Sequence, residues 1–144
     1  MYKRLLVGVF VLLAFSVGIS AQSVYTPEKG LPERKAILDA LRTPVERELK
    51  QKIVFAAETF NVAGNWAFVY GIPQTPDGSN LDLRNTRYAE AEREGFWGGN
   101  IQALLKKGAG KWSVVKYQLG CTDVCWADWW KTYRAPKAVF PYTE

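Results

Sequence analysis

The side chains able to do chemistry in this sequence are two cysteines, fourteen carboxylates and a large aromatic set; there is no histidine. That absence removes the usual general base, the usual activator of a serine or cysteine nucleophile, and the commonest metal ligand. A tetrahedral zinc site needs about four nitrogen or sulfur ligands, more than Cys121 and Cys125 supply. No Asp-x-Asp-x-Asp-Gly loop supports calcium of the EF-hand kind. The expectation is therefore no metal, no cofactor and no assigned catalytic residue. Carboxylates remain as alternative acids. Glu58 sits in an apolar, strand-like run, Asp123 between the cysteines, and Asp128 among tryptophans. Two such groups about 5 to 9 Å apart would suit a glycosidase, while Asp123 serves equally as the cap of a C-terminal helix.

Cys121-Thr122-Asp123-Val124-Cys125 is a close, even pair. In an oxidising compartment it predicts a structural disulfide, worth roughly 2 kcal/mol for so short a loop, with a redox-active pair as the alternative. Trp126, Trp129, Trp130 and Tyr133 recur at helical spacing. A stripe of that kind is expected to dock the C-terminus on the core, the other reading being a platform for sugar rings. Phe96 and Trp97 lie in Gly95-Phe96-Trp97-Gly98-Gly99. This loop-like setting gives them few local neighbours and makes them the predicted binding residues.

The compartment is read from the start of the chain. Met1-Tyr2-Lys3-Arg4 is cationic, residues 5–19 are apolar, and Ala21-Gln22-Ser23 fits a small-x-small cleavage site. The apolar run of 15 residues is short of the roughly 20 needed to span a bilayer. Residues 1–23 are thus expected to be a signal peptide, cut after Ala21 or Ser23, leaving no stable membrane anchor. The product is expected in the periplasm or secreted. Loss of Lys3 and Arg4 leaves 17 basic against 14 acidic residues. These charges are interspersed, without the basic stripe that nucleic-acid binding requires.

Residues 24–144 read as one α+β domain. A helix begins at Pro32, with Glu33 in its first turn and Ile37, Leu38, Leu41 and Val45 along one stripe. Pro44 predicts a kink or a break, with 44–49 as a second piece. Residues 53–62 and 66–70 form a hairpin about Ala63-Gly64-Asn65. A long loop, 71–87, precedes a turn or two of helix over 88–94. Residues 100–107 and 111–119 form a second hairpin about Gly108-Ala109-Gly110. In 111–119, neither the set Trp112, Val114, Lys116, Gln118 nor its alternate is cleanly polar. The fold expected is an N-terminal helix packed on a curved antiparallel sheet of about four strands, with a short C-terminal helix.

The order of helix then curved sheet resembles the cystatin-like and nuclear-transport-factor-2-like folds. Four phrases are similar to a group of small exported bacterial proteins of unknown function: Ala36-Ile37-Leu38-Asp39-Ala40-Leu41-Arg42, Gly64-Asn65-Trp66-Ala67-Phe68-Val69, Ala103-Leu104-Leu105-Lys106-Lys107 with Lys111-Trp112, and Gly120-Cys121-Thr122-Asp123-Val124. The resemblance implies a fold and supplies no activity. The function expected is non-enzymatic binding of a protein or small molecule in the cell envelope, through the 71–87 loop and Phe96-Trp97. The nuclear-transport-factor-2-like resemblance implies an alternative of the ketosteroid-isomerase kind, an apolar cone with Glu58 or Asp123 as its acid. An envelope inhibitor or immunity protein is the third class. If export is right, mass analysis of natively produced protein finds residues 1–21 or 1–23 missing; an intact Met1 in a cytoplasmic fraction refutes it.

Overall fold

A computed structural model describes residues 22–143. The expected export signal, apart from Gln22 and Ser23, lies outside the described residues. Within them the elements run β1 (Val24–Tyr25), α1 (Pro32–Leu49), β2 (Val54–Ala63), β3 (Trp66–Gln74), α2 (Ala89–Arg93), β4 (Ile101–Gly108), β5 (Lys111–Leu119) and α3 (Trp129–Thr132), followed by a 3-10 turn, Lys137–Val139. The strands form a single antiparallel sheet in sequence order. The chain is therefore α+β with five strands. The extra strand is the short β1, in a stretch too polar to signal a strand. Its backbone pairs Val24 with Ala63 and Tyr25 with Val62, and the Tyr25 hydroxyl donates to Glu33 across 2.7 Å.

Helix α1 runs unbroken through Pro44. Proline removes one intrahelical hydrogen bond and costs roughly 3 kcal/mol. Ile37, Leu41, Val45 and Leu49, spaced four apart across that position, are all buried. Their burial outweighs the loss, since each is worth about 1.5–3 kcal/mol. They join Phe60, Val62, Ala67, Val69, Ile101, Ala103, Leu105 and Leu119 in the main core. The helix ends at Lys50, which adopts the left-handed conformation at φ 56°.

Two register shifts decide which residues face this core. In β5, Trp112 and Val114 pair with Lys107 and Leu105, whereas Tyr117 and Leu119 pair with Ala103 and Ile101. The irregularity opposite Leu104/Leu105 shifts the alternation by one residue. Trp112, Val114, Tyr117 and Leu119 therefore share the α1 face, and Val115 joins the opposite one. The mixed character of this strand is the signature of a bulge. A second shift lies between Ala57 and Thr59, and it leaves Glu58 exposed.

The other face of the sheet carries Ala63, Phe68 and Leu104, covered by Trp129, Ala135, Val139 and Phe140. Asn61 fastens this cover by donating to the Val139 carbonyl at 3.0 Å. Phe68 contacts the rings of Trp126 and Phe140 at 5.4 and 5.3 Å between centroids. The C-terminal helix is only four residues long, and Trp126 enters from the turn before it. Trp129 is 5% exposed, while Trp126 and Trp130 are half-buried. Replacing Trp129 by Ala should therefore destabilise the protein by about 3–5 kcal/mol, as for other buried large-to-small changes. Denaturant unfolding measures this, and a variant of unchanged stability would show that the segment does not hold the sheet.

Candidate functional site

Between β3 and β4 the chain leaves the sheet for residues 75–100. The loop expected from residue 71 starts later because β3 continues through Gln74. Its first turn closes on itself: the Gly78 N–H donates to the Thr75 carbonyl at 2.8 Å, and the Ser79 N–H donates to Asp77 at 3.0 Å. Leu83 then enters the main core. Beside it, the Gln51 amide bonds the Asp82 backbone twice, donating to its carbonyl at 2.8 Å and accepting from its N–H at 3.1 Å. An excursion tied down in this way can serve as a fixed wall.

Trp97 is the opposite wall. It is half-buried rather than loosely exposed, a correction to the reading of residues 95–99 as a segment with few neighbours. Its ring lies 4.9 Å from Tyr88 between centroids. The ring also covers Gly120, where a Cβ would sit 2.1 Å from the indole; Gly120 has φ +68° as well, so both space and backbone require glycine. Gly98 is similarly pressed against the Cys121 carbonyl, 2.0 Å from where its Cβ would be. Phe96 is the exposed member of the pair, at 66%.

The two predicted surfaces meet. Ile72 and Pro73 at the end of β3, Asn80 and Leu81 from the loop, Glu92 from α2, and Trp97 with Gly99 enclose a cleft of about 200 Å³. Its lining combines apolar surface with one carboxylate and one carboxamide. A larger depression of about 600 Å³ lies beside the C-terminal half of α1, among Thr43, Glu46, Arg47, Lys50, Gln51 and Lys52. That hollow is bounded by hydrophilic side chains, and Glu46 is already engaged with Lys52 at 3.0 Å and with the Ile53 N–H at 3.1 Å. With no aromatic wall and a carboxylate already paired, it is the weaker candidate.

Behind the cleft lies a carboxylate that sequence reasoning did not single out. Glu48, on α1, accepts hydrogen bonds from the hydroxyls of Tyr88 and Tyr117 and pairs with Arg87 at 2.6 Å. Burial acts to raise its pKa, but the two phenols and the Arg87 charge outweigh that and hold the carboxyl below its usual range. Burial and the neighbouring carboxylate push the Tyr117 hydroxyl upward in turn. With its oxygens committed to these donors, Glu48 locks the excursion onto helix and sheet. Through Tyr88 it also positions Trp97. The available signal was local: Glu48 follows Val45 by three residues and so flanks the buried stripe.

The cysteines brace the same wall. Cys121 and Cys125 stand at disulfide-bonding distance, with 6.3 Å between Cα atoms. The Asn100 amide donates to the Cys121 carbonyl at 2.8 Å, and the Gly98 N–H donates to Gly120 at 3.0 Å. Neither alternative acid lies in the cleft. Glu58 is exposed at its register shift, and Asp123 is exposed while accepting from the Val124 N–H at 2.7 Å. Among the described residues, no group of three or more His, Cys, Asp or Glu side chains is placed to hold a metal, and no helix is long and apolar enough to cross a membrane.

Compared with protein-family models, curated proteins and solved structures, the chain matches none. The site is accordingly argued from geometry.

The Glu48 contacts set a pH dependence. A folded-state pKa below the ordinary value of 4.5 means the stabilisation is complete above that value and is lost as pH falls through the folded one. Glu48→Gln should cost about 1–3 kcal/mol near neutral pH. Between about pH 5 and pH 3 the variant should lose less stability than the natural protein. Parallel stability–pH curves for the two would refute this.

Proposed function

We propose that the mature chain is an exported, non-enzymatic binding module of the cell envelope, working in the periplasm or after secretion. Its ligand is a protein or a small molecule, and its seat is the Trp97 cleft. One observation carries the reading: the end of β3, the following loop, α2 and Trp97, separated in sequence, converge on one hollow whose lining is part apolar and part polar. Concave sites with apolar walls and a few polar groups are the usual form of ligand sites. Ile72, 40% exposed, adds apolar contact area at the cleft, and Phe96, 66% exposed, adds it next to Trp97 in sequence. Membership of the group of small exported bacterial proteins, with a cystatin-like or nuclear-transport-factor-2-like fold, is part of this proposal and rests on the sequence phrases. So is a structural role for a Cys121–Cys125 disulfide, supported by their distance and by the contacts that bind their loop to Gly98 and Asn100.

The test separates contact from support. Phe96→Ala should leave stability within about 1 kcal/mol, because an exposed ring contributes little to the core. It should weaken a complex isolated from the envelope by about tenfold or more, as loss of an interface aromatic does. Trp97→Ala should weaken the same complex and also cost about 2–3 kcal/mol of stability, since its ring packs on Tyr88 and Gly120. The enzyme alternative forecasts a turnover abolished by Glu58→Gln or Asp123→Asn and spared by Phe96→Ala. Observation of that turnover pattern overturns the binding reading.

A further inference from the structure

The cleft carries a chemical preference. Its apolar lining, Ile72, Pro73, Leu81 and Trp97, is joined by the Glu92 carboxylate and the Asn80 carboxamide. Among the described residues neither polar side chain has a hydrogen-bond or ion-pair partner. Nearby arginines are engaged elsewhere: Arg84 pairs with Asp82 at 2.6 Å, and Arg87 with Glu48 at 2.6 Å. Arg93 follows Glu92 directly on α2, and adjacent helical residues do not face one another. Glu92 is thus a carboxylate beside apolar surface with no charged partner of its own among the described residues. The mature chain expected from the sequence carries 17 basic against 14 acidic residues, so the sign at Glu92 is opposite to that of the whole.

We infer that the cleft receives a single cationic side chain, a lysine or arginine presented by a protein partner. The inference rests on the cleft being the ligand seat. Lysine and arginine join a long apolar stem to a charged head. The stem would lie along Pro73, Leu81 and Trp97, and the head would reach Glu92, with Asn80 as a second acceptor. Size supports this choice, because about 200 Å³ falls below the roughly 300–1,000 Å³ of pockets for drug-sized ligands. One side chain suits such a volume. The exposed Phe96 and Ile72 then meet the apolar neighbours of that residue, giving the apolar centre and charged anchor common in protein interfaces.

The test is a two-dimensional NMR titration of the mature exported protein with three probes. The first is a blocked short peptide carrying one arginine between two leucines, the second has norleucine in place of arginine, and the third is a tetrasaccharide of N-acetylglucosamine. The arginine peptide should shift the amides of Ile72, Leu81 and Glu92 and the Trp97 indole. Its Kd should rise about tenfold in Glu92→Gln, the loss expected of one charge-assisted contact. Added salt should weaken it further. Glu92 is exposed on α2, so an otherwise unchanged spectrum verifies that the variant folds. Equal binding of the norleucine peptide, no effect of Glu92→Gln, or occupancy by the sugar alone overturns the cationic preference and keeps the cleft as a seat. No shift at the cleft with any probe overturns both.

Discussion

Five successive residues of β4, Ile101, Gln102, Ala103, Leu104 and Leu105, are buried, and successive residues of a strand point to opposite faces. A strand of this kind requires both faces of its sheet to be covered. Helix α1 covers one through Ile37, Leu41, Val45 and Leu49, and the C-terminal aromatic segment covers the other through Trp129, Val139 and Phe140. Helix α1 lies mainly along β5 and β4, and the C-terminal 3-10 turn mainly along β2 and β3. The cleft lies at the end of the sheet where the chain leaves β3 and returns to β4.

Much of this was legible where a pattern is local. The helix start at Pro32, both hairpins and the short helix ended by Gly95 follow from spacing and turn residues. Other features depend on contacts a local pattern does not contain. Pro44 argued for a break, yet the same i, i+4 stripe continues past it, and tertiary burial overrides the local penalty. Val24–Tyr25 gains strand character from pairing with Ala63 and Val62, nearly forty residues away. The bulge in β5 was visible only as a failed alternation, Trp112 and Val114 giving way to Tyr117 and Leu119.

The candidate site divides in the same way. Phe96 and Trp97 drew notice together as aromatics among glycines, but their environments differ. Phe96 is exposed, while Trp97 both packs on Tyr88 and lines the cleft. Gly98 and Gly120 are the reason. Removing a side chain at each position lets residues 97–99 lie directly on the loop that follows β5. Gln51 with Asp82, and Glu48 with Tyr88, fix the opposite flank from helix α1. Those partners are separated by 31 and 40 positions, beyond the reach of any periodicity.

The cleft walls share the apolar burial of the core through Leu83, Leu81, Tyr88 and Trp97, but they also depend on polar contacts that the sheet does not use. The main core, from Ile37 to Leu119, contains no titratable buried side chain. Glu48, by contrast, loses its charge pairing with Arg87 once protonated, and its hydrogen bonds from Tyr88 and Tyr117 weaken from charge-assisted to neutral ones. Regions held by few contacts open before the global unit does. Acid should therefore loosen the excursion between β3 and β4 while the sheet and α1 stay folded, seen as amide exchange rising across residues 84–97 before the β4 amides follow. Simultaneous loss of protection in both regions would mean that the excursion and the sheet form one cooperative unit, with the Glu48 contacts belonging to the core rather than to the cleft.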